Sequence, residues 1–218
     1  MIRTALFAIL FSVFGIANAA TIEEGKQYTL IEPPVLVNAP ENQIQVIDFF
    51  SFGCPHCATL APTFAEWEKN KPANVVVKKV PVEFTPAWEN YAKLYYTAVA
   101  LGVADKLEQP LFNAVQSGKD LTNLDEAAKV FAEQNIDAEK FKSTYNSFSV
   151  NTALNQGRFE VKQYKVTRVP LVVVDGRYQT TLANAGGPQG LVDTVNFLIA
   201  KVEEQRKSKA TEAAKTTP

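Results

Sequence analysis

From Gln43 to Phe50 the chain is a run of β-branched and aromatic residues, entered from a loop marked by Pro33, Pro34 and Pro40, and reads as a strand. Helical spacing follows from about Cys54 to Lys69; Pro55 falls in the first turn, where its missing N–H is harmless, whereas Pro62 in the interior predicts a kink near Ala58. Val75 to Val82 reads as a second strand. The pattern then turns helical through Trp88–Leu101, Asp105–Ser117, Leu124–Gln134 and one longer stretch, Ala138 to Tyr164, which together form an all-helical insertion. In this block the aromatics Phe84, Trp88, Tyr91, Tyr95 and Tyr96 are spaced as a buried helix face. Strand signals resume at Leu171–Val174, turn at Asp175-Gly176 and continue from Tyr178 to Leu182, a hairpin with a favourable turn. After Gly186-Gly187-Pro188, the residues Leu191, Val195, Leu198, Ile199 and Val202 recur on one face of a closing helix. Tyr28-Thr29-Leu30 is a candidate edge strand, and the tail from Arg206 to Pro218, without aromatic or large aliphatic residues, is expected to be disordered.

Composition adds two constraints. With 46% hydrophobic residues in 218, the chain has material for a sizeable core. Lys plus Arg number 22 against 23 Asp plus Glu, a balance with none of the basic footprint of nucleic-acid binding. At the start, Arg3, the apolar stretch Ala5 to Ile16 and Ala17-Asn18-Ala19 form the pattern of a secretory signal cleaved after Ala19. That stretch is short for a membrane span, although its single basic residue leaves a retained anchor as the alternative.

The two cysteines of the chain, Cys54 and Cys57, form one CxxC pair at the junction of the first strand and its helix. A structural zinc site commonly takes four Cys or His ligands, and this chain has two Cys and one His, so no metal is expected. Covalent haem attachment wants His after the second cysteine, where Ala58 stands. A purely structural bridge would close a two-residue loop and remove little entropy from the unfolded chain. In an exported protein a lone pair argues for chemistry, since stabilising disulfides usually come in sets. At a helix start the first thiol meets unsatisfied N–H groups and the dipole, so Cys54 is expected to be the exposed, low-pKa sulfur and Cys57 its buried partner. Between them, His56 can add a hydrogen bond or positive charge, or simply face solvent, and Pro55 restricts the local geometry. Asp48, an acid inside the strand run, is either buried with a raised pKa, suited to exchanging a proton with Cys57, or exposed on a solvent face.

The order of elements is a βαβ half and a ββα half around a helical insertion, the outline of a thioredoxin fold. With Cys54-Pro55-His56-Cys57 after the strand and Val169-Pro170 before the hairpin, the chain from about Lys26 to Val202 resembles the DsbA family of periplasmic thiol:disulfide interchange proteins. The resemblance implies an α/β thioredoxin fold with an inserted helical domain: residues 20–84 and 165–204 as the thioredoxin part, 85–164 as the insertion, 205–218 as tail. It implies a cis bond at Pro170, packed against the cysteines, that leaves the Val169 backbone free to pair with an extended substrate. It also places a lysine beside the acid beneath the site; Lys79 aligns with it, while a register slip would substitute Lys78. Arg168 stands where the family often has a small residue. The activity implied is donation of the Cys54–Cys57 disulfide to unfolded exported proteins with free cysteines, by a monomer without cofactor, reoxidised by a DsbB-type membrane partner. A disulfide isomerase or reductase, or a chaperone-like peptide-binding module with a static bridge, are the alternatives.

Overall fold

The computed structural model describes residues 21–37, 39–40 and 42–216, so the leader 1–19 lies outside the described residues. The elements run β1 (Thr29–Leu30), β2 (Ile44–Phe50), α1 (Pro55–Asn70), β3 (Val75–Pro81), α2 (Pro86–Ala100), α3 (Ala104–Gln116), α4 (Leu124–Ala132), α5 (Ala138–Tyr145), α6 (Phe148–Gln163), β4 (Leu171–Val174), β5 (Tyr178–Thr181) and α7 (Pro188–Thr216). The sheet order is β1-β5-β4-β2-β3, with β2 parallel to β3 and antiparallel to β4. A parallel β2–β3 pair needs a crossover, and α1 supplies it.

Because successive residues point to opposite faces, β2 sorts its side chains into two cores. Ile44 and Val46 pack with Leu60 and Phe64 of α1 and with Leu191, Val195 and Leu198 of α7. Ile47 and Phe49 pack on the other face with Val173, Tyr164 and Val166, beneath α6. At the C-terminal end of β2 a third cluster begins: Phe50 and Phe52 interlock edge to face with each other and with Tyr95 and Phe112, joining the sheet to the helical block. Both cysteines belong to this cluster. The β4–β5 turn places Asp175 and Gly176 at positive φ, and a Cβ on Gly176 would lie 2.0 Å from the Val35 carbonyl oxygen. Only glycine fits there.

Two expectations change. The stretch Ala138 to Tyr164 is two helices, because Ser147 leaves helical geometry at φ −69, ψ 156 and its hydroxyl caps the Val150 N–H. The tail is not structureless: α7 continues to Thr216, through a run rich in Glu, Gln, Lys, Arg and Ala that favours helix. Arg206 ties that extension to the sheet, bonding the Asp175 carboxylate at 2.6 Å and the Gln43 carbonyl at 3.0 Å. Lack of apolar residues therefore did not mean lack of anchoring. α1 runs through Pro62 as a single helix. Among the described residues no helix is long and apolar enough to cross a membrane.

Candidate active site

β2 delivers the chain to the site, and Cys54 is the N-cap residue of α1, extended at φ −95, ψ 114, with its Sγ accepting the Cys57 N–H at 3.2 Å. The sulfur thus takes the place that a serine or aspartate oxygen occupies in an ordinary N-cap. Pro55 at the first helical position carries no N–H that would need a partner. Ser51 tightens the entry, its carbonyl accepting the Cys54 N–H at 3.0 Å and its hydroxyl accepting the Gly53 N–H at 3.1 Å. Gly53 itself lies under Trp88: a Cβ there would sit 2.2 Å from the indole Nε1.

Both cysteines are free thiols, and they titrate apart. Cys54 is lowered from 9.0 to about 6: a hydrogen bond from the Cys57 thiol does most, burial opposes, and the N–H groups of Cys57 and His56 with the His56 charge lower it further. Burial pushes the Cys57 thiol far up, as do its donation to Cys54 and the nearby Cys54 and Asp48 charges. One sulfur is therefore a thiolate at neutral pH and the other its proton-bearing partner. Contrary to expectation, Cys54 is not exposed; 5% of its surface remains accessible against 3% for Cys57, because the helical block and Val169 pack around it. His56 and Pro55 face solvent.

The Val169–Pro170 peptide bond is cis, and the Val169 carbonyl faces the reactive sulfur at 3.7 Å, accepting from it only while Cys54 is protonated. A groove of about 390 Å³ lined by His56, Arg168, Val169, Pro170 and Leu182 runs past this point. Arg168 is exposed at its rim.

Beneath the cysteines Asp48 is buried on the α1 side of the sheet, and its Oδ1 has no hydrogen-bond partner. Burial raises its pKa from 3.8 to about 7; Lys79 lowers it, while Glu108, Glu68 and Cys54 raise it. The β2–β3 register sets Lys79 directly beside Asp48 and turns Lys78 to the other face, where it pairs with Glu160. Yet Lys79 Nζ bonds Glu108 of α3 and Glu68 of α1, the latter at 3.1 Å. Neither glutamate was singled out from sequence. Glu108 falls in the apolar stripe with Leu107, Leu111 and Phe112, and a charge in such a stripe was the available signal. Among the described residues no group of three or more His, Cys, Asp or Glu could hold a metal ion.

A thioredoxin fold whose first crossover helix is capped by the leading sulfur of a CxxC pair, facing a cis-proline loop, defines a thiol–disulfide oxidoreductase. Residues 45–195 match the model of the DSBA-like thioredoxin domain, and the chain belongs to that family. It is 36% identical over 191 residues to the thiol:disulfide interchange protein DsbA of Burkholderia cepacia, covering 87% of this chain and 90% of the relative. Against DsbA of Pseudomonas aeruginosa strain PAO1 it is 34% identical over 203 residues, covering 92% and 95%. The crystal structure of Pseudomonas aeruginosa DsbA superposes with a TM-score of 0.79 at 33% identity, covering 85% of this chain and 97% of that one. A DsbA variant from Proteus mirabilis, solved with a non-covalently bound peptide, superposes at 0.72 with 31% identity, covering 83% and 100%. The protein is accordingly a thiol:disulfide interchange enzyme of the DsbA type.

Proposed function

We propose that the enzyme runs as an oxidase: it donates the Cys54–Cys57 disulfide to newly exported proteins in the periplasm, acts as a monomer without cofactor, and is reoxidised by a DsbB-type membrane protein. The observation that carries the direction is the capped Cys54 thiolate, titrating at about 6. Whatever stabilises that thiolate stabilises the reduced enzyme, and so favours release of its disulfide. The leader pattern at Met1 to Ala19 supports export.

A substrate thiolate attacks Cys54 Sγ; the Cys54–Cys57 bond breaks, and its electron pair leaves on Cys57. Cys57 is held far above the ordinary thiol range, so it leaves best by taking a proton, which Asp48 is placed to give. A second substrate thiolate then attacks its own sulfur in the mixed disulfide and expels Cys54, a good leaving group because its pKa is low. The substrate gains one disulfide and the enzyme ends as the dithiol. Val169 supplies a backbone edge for an extended substrate, and Pro170 shapes the wall behind the sulfur. That the Proteus relative holds a non-covalently bound peptide supports a peptide as the kind of substrate taken.

The test is to mix the oxidised enzyme with a reduced, unfolded protein carrying two free cysteines. One disulfide transferred per enzyme is the expected result; offered the disulfide-bonded form of the same protein instead, a Cys57→Ala enzyme should be trapped as the mixed disulfide through Cys54, because its Cys54 thiolate attacks the bond and no second thiol resolves it. An oxidised enzyme left unchanged by the substrate would sink the oxidase reading and favour a static bridge.

A further inference from the structure

Lys79 is Asp48's neighbour across the β2–β3 pair, yet Asp48 Oδ1 is buried without a partner. The ammonium has been drawn elsewhere. Lys79, with 9% of its side chain exposed, is clamped between Glu108, 13% exposed, and Glu68, 31% exposed. A cavity of about 300 Å³ opens on the same cluster, lined by Glu68, Lys79, Tyr95 and Glu108. We infer that Glu108, supplied by the inserted helical block, is a positioning residue for disulfide exchange: it holds the Lys79 ammonium away from Asp48, so that Asp48 keeps the proton it gives to Cys57.

Asp48, Glu108 and Glu68 compete for a single buried cation. A buried ammonium pairs with the carboxylate that gives it the best hydrogen bonds. Were Lys79 to bond Asp48, the carboxylate form would be stabilised, and an acid next to a cation loses its proton one to three units lower, on the order of a hundredfold less acid form at neutrality. The groups facing Asp48 are Lys79 on β3, Glu108 on α3, Glu68 and the two cysteines on α1, and Tyr95 on α2. From β4 its register neighbour is apolar Val172. Glu108 and Glu68 act on Asp48 in the same sense, both directly and by occupying Lys79. The helical insertion thereby reaches the proton chemistry of a site built on the thioredoxin sheet.

The inference rests on Asp48 as the proton donor, and the experiment separates the two. The rate at which a small thiol reduces the oxidised enzyme is followed across the neutral range and divided by the fraction of attacking thiolate. In the parent enzyme this corrected rate falls above the titration of Asp48. Glu108→Gln should move that fall to lower pH by about one unit, because Lys79 is released toward Asp48; Glu68→Gln, at a more exposed position, should move it the same way by less. Lys79→Met should move it to higher pH. If Asp48→Asn leaves the fall in place, Asp48 is not the donor and the underlying reading fails. If Asp48→Asn abolishes the fall while Glu108→Gln and Glu68→Gln leave it where it was, or raise it, the role of Glu108 is overturned on its own. A loss of thermal stability without a shift in the profile counts against the proposal as well, since it marks Glu108 as merely structural.

Discussion

Replacing Cys57 by alanine removes one hydrogen bond from the Cys54 sulfur and leaves two, which makes it a quantitative test of how the thiolate is held. The descent of Cys54 from 9.0 to about 6 is led by the Cys57 thiol, with the backbone N–H groups of Cys57 and His56 behind it. Three units correspond to about 4 kcal/mol of preference for the thiolate. A hydrogen bond to a charged group contributes about 1.5–3 kcal/mol, or roughly one to two units. Cys57→Ala should therefore titrate at about 7 to 8, still below an ordinary thiol because the α1 N-terminus is intact. At neutral pH the thiolate fraction would drop from roughly nine-tenths to half or less. Cys57→Ser, which keeps an O–H donor in the same place, should stay near the parent. The measurement is the ultraviolet absorbance of the thiolate against pH, paired with the alkylation rate of Cys54. If the alanine variant titrates with the parent, the Cys57 thiol contributes nothing and the helix terminus alone carries the shift.

Asp48→Asn should stabilise the dithiol protein, increasingly as pH rises. Asp48 titrates at about 7 instead of 3.8, so its burial is harmless below pH 3.8, takes stability away as pH climbs from there, and levels off above 7 at no more than about 4 kcal/mol; urea unfolding at acid and neutral pH checks this, and a gap that does not widen would show that the carboxylate is solvated. Gly53→Ala should drive a methyl into the Trp88 indole and lower stability by about 1–3 kcal/mol. Most of that loss should disappear in a background where Trp88 is already Ala, and a loss that persists there would place the strain elsewhere. Arg206→Met should lower stability by about 1–3 kcal/mol, because the buried Asp175 would keep Arg177 alone; an unchanged urea midpoint would mean the α7 extension is not anchored.

How much of this could be read from residues alone follows the range of the interactions involved. The β2 run, the α1 start and the Asp175-Gly176 turn are local signals, and each element lies within a residue or two of its expected place. The break at Asn146-Ser147 needed a serine to leave helix in the middle of a periodic stretch, and periodicity alone does not show which serine does so. The extension of α7 depends on Arg206 reaching Asp175, a contact between residues 31 apart. At the site, the cysteines, Asp48 and the cis Pro170 are brought together around one end of β2. The choice between Lys78 and Lys79 could not be made in advance because both are lysine and the faces alternate; only the parallel register puts Lys79 on the Asp48 side. Glu108 stands out as a charge in an apolar stripe, but its role was not legible, since its partner lies on a strand that the helical block meets only in the folded protein.

The central claim is the direction of electron flow, and its most direct test is the equilibrium of the mature enzyme with glutathione buffers, followed by any signal that separates dithiol from disulfide. With Cys54 held as a thiolate at neutral pH, the potential should lie well above the roughly −270 mV of thioredoxin. A potential at or below that value would contradict the account, because the reduced form would then gain nothing from the capped sulfur.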